Sequence, residues 1–209
     1  GSSPPAACPI LRWSRQPRPQ RLLRNMRLAL AALLALTGCT HANLPQFEKA
    51  LAAQDSATLA LGQWCADHHI AQPPTIRALA DRTARHSPSP AGRTALGVSQ
   101  DEPVTYRHVR LACGDTVLSV AHNWYVPARL TPDMNRMLEA TDTPFGKVVA
   151  PLGFRRERLA AKRGREPECP KGTVLSHRAV LRVGTGNAKG SAISLVVECY
   201  TAANLKSAG

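Results

Sequence analysis

Aromatic residues make up only 4% of the 209-residue chain. That is too few for a platform on which the bases of a nucleic acid could stack in succession. The clearest apolar run, Leu28 to Leu36, is nine residues long, well short of the roughly 20 that a transmembrane helix needs. There is no Gly-x-Ser-x-Gly turn to present a hydrolase nucleophile. The six cysteines match no zinc-binding spacing. The seven histidines have no ligand spacing either: His68 and His69 are adjacent, so their rings diverge, and His108, His122 and His177 could meet only on neighbouring strands. No metal site is expected, and no internal repeat is found.

What the chain has in excess is positive charge, unevenly placed. The formal net charge is +13, but residues 1–39 hold six of the 27 basic residues and none of the 14 acidic ones, leaving 21 against 14, or +7, for the remainder. A moderately basic body suits an anionic small molecule or a membrane surface and does not require nucleic acid. With 44% hydrophobic residues it can bury a sizeable core.

Residues 1–25 are rich in Pro and Arg without apolar periodicity and are expected to be a disordered or untranslated extension. Residues 26–39 read as a signal peptide: Met26, Arg27, the apolar run, then Leu36-Thr37-Gly38-Cys39. That ending resembles the lipobox of bacterial lipoproteins, in which the cysteine is lipidated. It implies an exported chain, periplasmic or held to the membrane through a lipid on Cys39; an ordinary secretory signal and a short buried helix are the competing readings. Residues 40–54 then form a tether and short helix, and 55–205 a folded domain. In an oxidising compartment Cys65, Cys113, Cys169 and Cys199 could form two disulfides in any of three connectivities.

Hydrophobic periodicity outlines the domain. Helices are expected at 46–53, from a cap at Asp55-Ser56 to about His69, from Thr131-Pro132-Asp133 onward, and from Pro144 to about Ala150. Strands are expected at 75–83, 104–112, 116–126, 152–160, 173–183 and 191–201, with 84–103 a long loop and 184–190 a turn. Gly114-Asp115 supplies the tight reversal of the clearest hairpin. Consecutive strands with few helices between them predict an α+β fold: a six-stranded antiparallel sheet with three or four segregated helices.

The stretch Thr141-Asp142-Thr143-Pro144-Phe145-Gly146-Lys147-Val148-Val149 opens a helix with Asp142 or Thr143 as cap. The N–H groups of Phe145 and Gly146 then have no intrahelical acceptor and form an anion site. Ala57, in the first turn of its helix, offers another such amide. Arg107 alternates with Val109 and Leu111, which places a permanent charge on an apolar face. Glu198 interrupts the apolar run Ile193-Ser194-Leu195-Val196-Val197-Glu198-Cys199-Tyr200. Arg107 and the helix ends could hold a carboxylate, with Glu198 meeting an oxygen at the ligand's other end. Equally, Arg107 and Glu198 could form a structural ion pair.

Taken together, Asp55-Ser56-Ala57-Thr58, Tyr106-Arg107-His108, Val126-Pro127, Thr143-Pro144-Phe145-Gly146 and Val197-Glu198 resemble the chorismate pyruvate-lyases, a family related in fold to the ligand-sensing domains of some bacterial regulators. The resemblance covers roughly residues 55–205. It implies a buried site closed by lids, in which Arg107 and the amides of Ala57 and Phe145, with Gly146 beside it, grip an aromatic carboxylate and Glu198 faces the phenol oxygen. The implied reaction releases pyruvate from chorismate and leaves para-hydroxybenzoate, with Arg107 and Glu198 as catalytic residues and no metal or cofactor. The expected partner is a small aromatic carboxylate such as chorismate or para-hydroxybenzoate. The alternative is a non-catalytic binding protein of the same fold. Where the lyases often carry another arginine, late in the second hairpin strand, this chain has His122-Asn123-Trp124; Arg178 is a candidate substitute.

Overall fold

The computed structural model describes residues 43–184 and 190–206. The extension 1–25, the signal peptide 26–39 with Cys39, and most of the turn at 184–190 lie outside the described residues.

Six strands form one antiparallel sheet: β1 (Ile76–Asp81), β2 (Thr105–Cys113), β3 (Thr116–Tyr125), β4 (Arg155–Arg163), β5 (Thr173–Val183) and β6 (Ser191–Thr201). Their spatial order is β1-β2-β3-β6-β5-β4. The most apolar strand, β6, lies in the middle, where both its faces are covered. β2 and β3 meet at Gly114, whose φ of +56° is the left-handed conformation that a tight hairpin requires and that glycine adopts without strain.

Five α-helices accompany the sheet: α1 (Leu44–Ala52), α2 (Ala57–Asp67), α3 (Pro90–Leu96), α4 (Pro132–Ala140) and α5 (Phe145–Val148). Asn43 and Gln46 exchange side-chain and backbone hydrogen bonds at the start of α1, at 3.0 and 3.3 Å, which fixes that helix two residues earlier than the periodicity suggests. Its Phe47 is fully buried between Trp64 of α2 and Tyr200 of β6, with ring centroids at 5.0 and 5.3 Å. Burial of one such ring contributes about 1.5–3 kcal/mol. Ser56 caps α2 by accepting from the Leu59 N–H, and the helix buries Ala57, Ala60, Leu61, Trp64 and Cys65.

The two faces of the sheet differ. The inner face carries α1 and α2 over Val109, Leu111, Ala121, Leu175 and Tyr200, with α4 and α5 packing on Tyr125, Leu181 and Ile193. The outer face packs Leu96 of α3 and Cys169 against Trp124, Leu195, Val197 and Cys199. One disulfide, Cys65–Cys113, ties α2 to β2, and a second, Cys169–Cys199, ties the segment before β5 to β6.

Four sequence expectations change. The loop 84–103 contains α3, capped by Ser89, started by Pro90 and ended by Gly97 at φ +61°. Among the described residues there are five α-helices, more than the three or four expected. α5 is only four residues long: Pro144 stands at its N-cap with no side chain bonded to it, so neither Asp142 nor Thr143 caps the helix. A 3-10 turn, Ala150–Leu152, follows it. The strand expected at 152–160 runs Arg155–Arg163, because the left-handed Gly153 delays its start.

Candidate binding pocket

Strand register lays out the floor of a pocket on the inner face. Arg107 of β2 is the direct partner of Asn123 of β3, and Asn123 the partner of Val196 of β6. One row along, Val109 pairs with Ala121, Ala121 with Glu198, and Glu198 with His177. A charged or polar side chain thus stands at each side of a small apolar patch made by Val109, Ala121 and Val196. Ala57 and Thr58 of α2, Phe145 and Gly146 of α5, and Phe154 and Arg156 form further walls. The cavity has a volume of about 50 Å³ and is partly open to solvent. The structure therefore brings Arg107, Ala57, Phe145, Gly146 and Glu198 to one cavity.

The two helix starts abut. A Cβ added to Gly146 would stand 2.9 Å from the Ser56 hydroxyl and 3.4 Å from that of Thr58. The first N–H groups of α2 and α5, which have no intrahelical acceptors, consequently border the same space.

Arg107 is 7% exposed, and among the described residues no carboxylate lies within ion-pairing distance of it. Its Nη2 donates to the carbonyls of Thr141 and Thr143, at 3.3 and 3.1 Å, while its Nε is buried with no hydrogen-bond partner. Burial lowers its pKa; Tyr125 counteracts this, Arg82 adds to it and Asp142 opposes it. Asp142 itself is exposed and faces Arg82 at 3.6 Å. The segment 141–143 is pinned to the sheet by this guanidinium and by the Ala78 N–H, which donates to the Asp142 carbonyl at 2.8 Å.

The alternative of an Arg107–Glu198 ion pair is not realised. Glu198 is taken by Arg156 of β4: Nη1 donates to Oε1 at 3.3 Å and Nη2 to Oε2, with both side chains less than a tenth exposed. Tyr200 adds a hydrogen bond to Oε2 at 2.9 Å. Burial opposes the charge of Arg156, but Glu198 outweighs it, and the guanidinium pKa rises above the ordinary range. Burial drives the Tyr200 pKa upward, reinforced by Glu198. His177, beside Glu198 in the register, is brought down to about 4, chiefly by burial.

Arg178 is not at the pocket. It pairs with Glu168 at 2.6 Å and with Glu166 at 3.8 Å, so it cannot substitute for an arginine there. Of the three separated histidines, His108 and His122 are register partners with ring centroids 4.9 Å apart. His177 instead packs edge-on against Tyr200 in the inner layer.

Sequence reasoning missed Arg156 and Asn123 as pocket residues. A signal for Arg156 existed: Leu152 and Phe154 share a face, and the next step at period two is Arg156. Asn123 alternates with Ala121 and Tyr125 in the same way.

No family model matches the chain. It is 41% identical over 167 residues to protein y4mC of Sinorhizobium fredii (strain NBRC 101917 / NGR234), described as uncharacterised, across 70% of this chain and 68% of that one. Among solved structures, the effector domain of PhnF from Mycobacterium smegmatis superposes with a TM-score of 0.51 at 11% identity, covering 74% of this chain and 93% of that domain. Full-length PhnF gives 0.50 at 11% identity, with 74% of this chain and 67% of PhnF covered. The possible transcriptional regulator YydK of Bacillus subtilis gives 0.43 at 11% identity; 64% of this chain is covered, and the match spans 60% of YydK. At these identities the likeness is one of fold. The fold is α+β with a six-stranded antiparallel sheet, and it is chorismate lyase-like.

Proposed function

This chain belongs to the family of the Sinorhizobium fredii protein y4mC, and we propose that its pocket binds a small aromatic carboxylate. The observation that carries this reading is Arg107, a buried guanidinium whose Nε has no hydrogen-bond partner, and which has no ion-paired carboxylate, among the described residues. A buried charge without a counter-ion is costly, and an anionic ligand removes that cost. The first amides of α2 and α5 add donors for the same anion. The ring lies over Val109, Ala121 and Val196. Glu198, held by Arg156 and Tyr200, accepts a hydrogen bond from a hydroxyl at the ligand's far end. Phe154 borders both this cavity and the groove outside α2.

Cleavage of chorismate to para-hydroxybenzoate and pyruvate is the second reading. It is favoured by the placement of Glu198 across the apolar patch from Arg107. Against it, chorismate carries two carboxylates, whereas Arg156 is already committed to Glu198. A signal peptide would also carry the protein away from the cytoplasm, where chorismate is made. Simple binding, as in an effector domain, is therefore the better supported activity. The two disulfides support an oxidising compartment, and we extend the proposal to export with lipidation at Cys39.

Thermal-shift titration with para-hydroxybenzoate tests the binding reading: ligand at 100 times its dissociation constant should add about 2.7 kcal/mol of stability. Absorbance at the para-hydroxybenzoate band, with chorismate supplied, tests the lyase reading. No shift with any benzoate would overturn the pocket.

A further inference from the structure

Asn123 is a second recognition element beside Arg107. It is 4% exposed, lines the cavity, and is the register partner of Arg107 across the β2–β3 hairpin. Residues opposite one another in an antiparallel pair place their Cβ atoms about 5 Å apart, so the amide lies within one substituent's reach of whatever the guanidinium holds. Its orientation is set from behind: the buried Ser194 hydroxyl donates to Asn123 Oδ1. With the oxygen engaged, the Nδ2 group, which carries two donors, is left for a partner in the cavity. On the adjacent strand, one row along, stands Glu198. Asn123 thus sits between the cation and the carboxylate of the pocket, at the side of the apolar patch.

The polar groups impose a pattern on the ligand. Arg107 requires an anion. Asn123 Nδ2 offers hydrogen-bond donors without charge, so it calls for a neutral acceptor. Glu198 accepts, so it calls for a donor. We propose that the ligand class is the hydroxylated benzoates carrying a second neutral oxygen on the ring, meta to the carboxylate, bound by Asn123, in addition to the para hydroxyl read by Glu198. Ser194 is the positioning residue that fixes the amide. This inference rests on the carboxylate-binding reading and specifies its ligand.

A buried polar group built to meet a partner discriminates against a ligand that leaves it unpaired. Wild-type protein is expected to bind 3,4-dihydroxybenzoate about tenfold more tightly than 4-hydroxybenzoate, the size of one neutral hydrogen bond. The test is calorimetric titration of the full chain with both compounds. In Asn123→Leu the ratio of the two dissociation constants falls to about one. Ser194→Ala, which keeps the amide but frees it to rotate, lowers the ratio part-way and covers the case in which the leucine variant does not fold. If both compounds bind wild type with equal affinity, or if neither substitution changes the ratio, the assignment of Asn123 is wrong while the pocket stands. If neither compound binds wild type, the pocket reading fails and this one falls with it.

Discussion

Gly146 and Ser56 meet where two helices begin, with only 2.9 Å between the Ser56 hydroxyl and the place where a Cβ on Gly146 would stand. That hydroxyl also caps α2 through the Leu59 N–H. Gly146→Ala should therefore dislodge the cap and push the two helix ends apart. The expected cost is about 0.5–2 kcal/mol, the usual value of a lost N-cap, together with weaker benzoate binding. Urea melts and titrations of the variant check both. Unchanged values for both would mean that the contact is slack and the helix starts do not share an anion.

Supplying Arg107 with a counter-charge inside the protein should compete with any ligand. Asn123→Asp places a carboxylate directly across the register from the guanidinium. The variant is expected to be more stable than wild type by about 1.5 kcal/mol, the low end of the range for hydrogen bonds to charged groups, and unable to bind benzoates. Arg107→Ala should also abolish binding. Normal binding by either protein places the carboxylate elsewhere.

Glu198 and Arg156 are expected to behave as a unit. Glu198→Gln leaves a buried guanidinium without its carboxylate, which should cost about 3–5 kcal/mol. Replacing both, as Arg156→Met with Glu198→Leu, should recover most of the loss, because an apolar pair of similar volume is often as stable as a buried ion pair. A double-mutant cycle measures the coupling, and additive losses would show that the pair is energetically independent.

Acid should destabilise the fold before its carboxylates protonate. His122 and His177 are both held to about 4 in the folded chain, mainly by burial, against an ordinary value of 6.5. Between those values the unfolded chain binds protons that the folded chain does not, so stability falls as pH drops from about 6.5 toward 4 and levels off below that. His177, which is buried, accounts for up to about 3 kcal/mol of this loss, and the more exposed His122 for less. His177→Phe, which keeps a ring against Tyr200, should flatten the profile of melting temperature against pH over that window. A profile as steep as wild type would exonerate His177.

Lipidation is tested by metabolic labelling with a fatty-acid analogue. The wild-type chain should take up label and Cys39→Ser should not. Label retained by the serine variant contradicts a lipid on Cys39.

Much of the fold was legible because periodicity is local. β5 and β6 run 173–183 and 191–201, as their alternating and continuous apolar patterns indicate, and the hairpin turn is announced by Gly114. The helix at 90–96 was hidden because it buries little: only Gly92 and Leu96 face the interior, too few for a helical stripe to emerge from a Ser- and Pro-rich loop. Arg107, Glu198, Ala57, Phe145 and Gly146 could be picked out one at a time, each as a charge on an apolar face or an amide at a helix start. Their pairings could not. Period two from Phe154 puts Arg156 on the inner face, but only the strand order, which brings β4 beside β5 and β5 beside β6, gives it access to Glu198. Asn123 owes its place to the register with Arg107, a non-local fact.

The strand order has one more consequence, for the timing of assembly. β6 is the last of the described strands in the chain and the one that stands between β3 and β5. Until it arrives, the β1–β2–β3 meander and the β4–β5 hairpin share no backbone hydrogen bond, and each presents an open edge to the other. The β3–β6 pairing that joins the two halves is non-local, a kind of contact that slows folding. Arg107 and Asn123 come from the half that is first in the chain, Arg156 from the second half, and Glu198 from the strand that joins them. The pocket is therefore complete only when the two halves are paired, and a chain that lacks β6 has no carboxylate to set opposite Arg107.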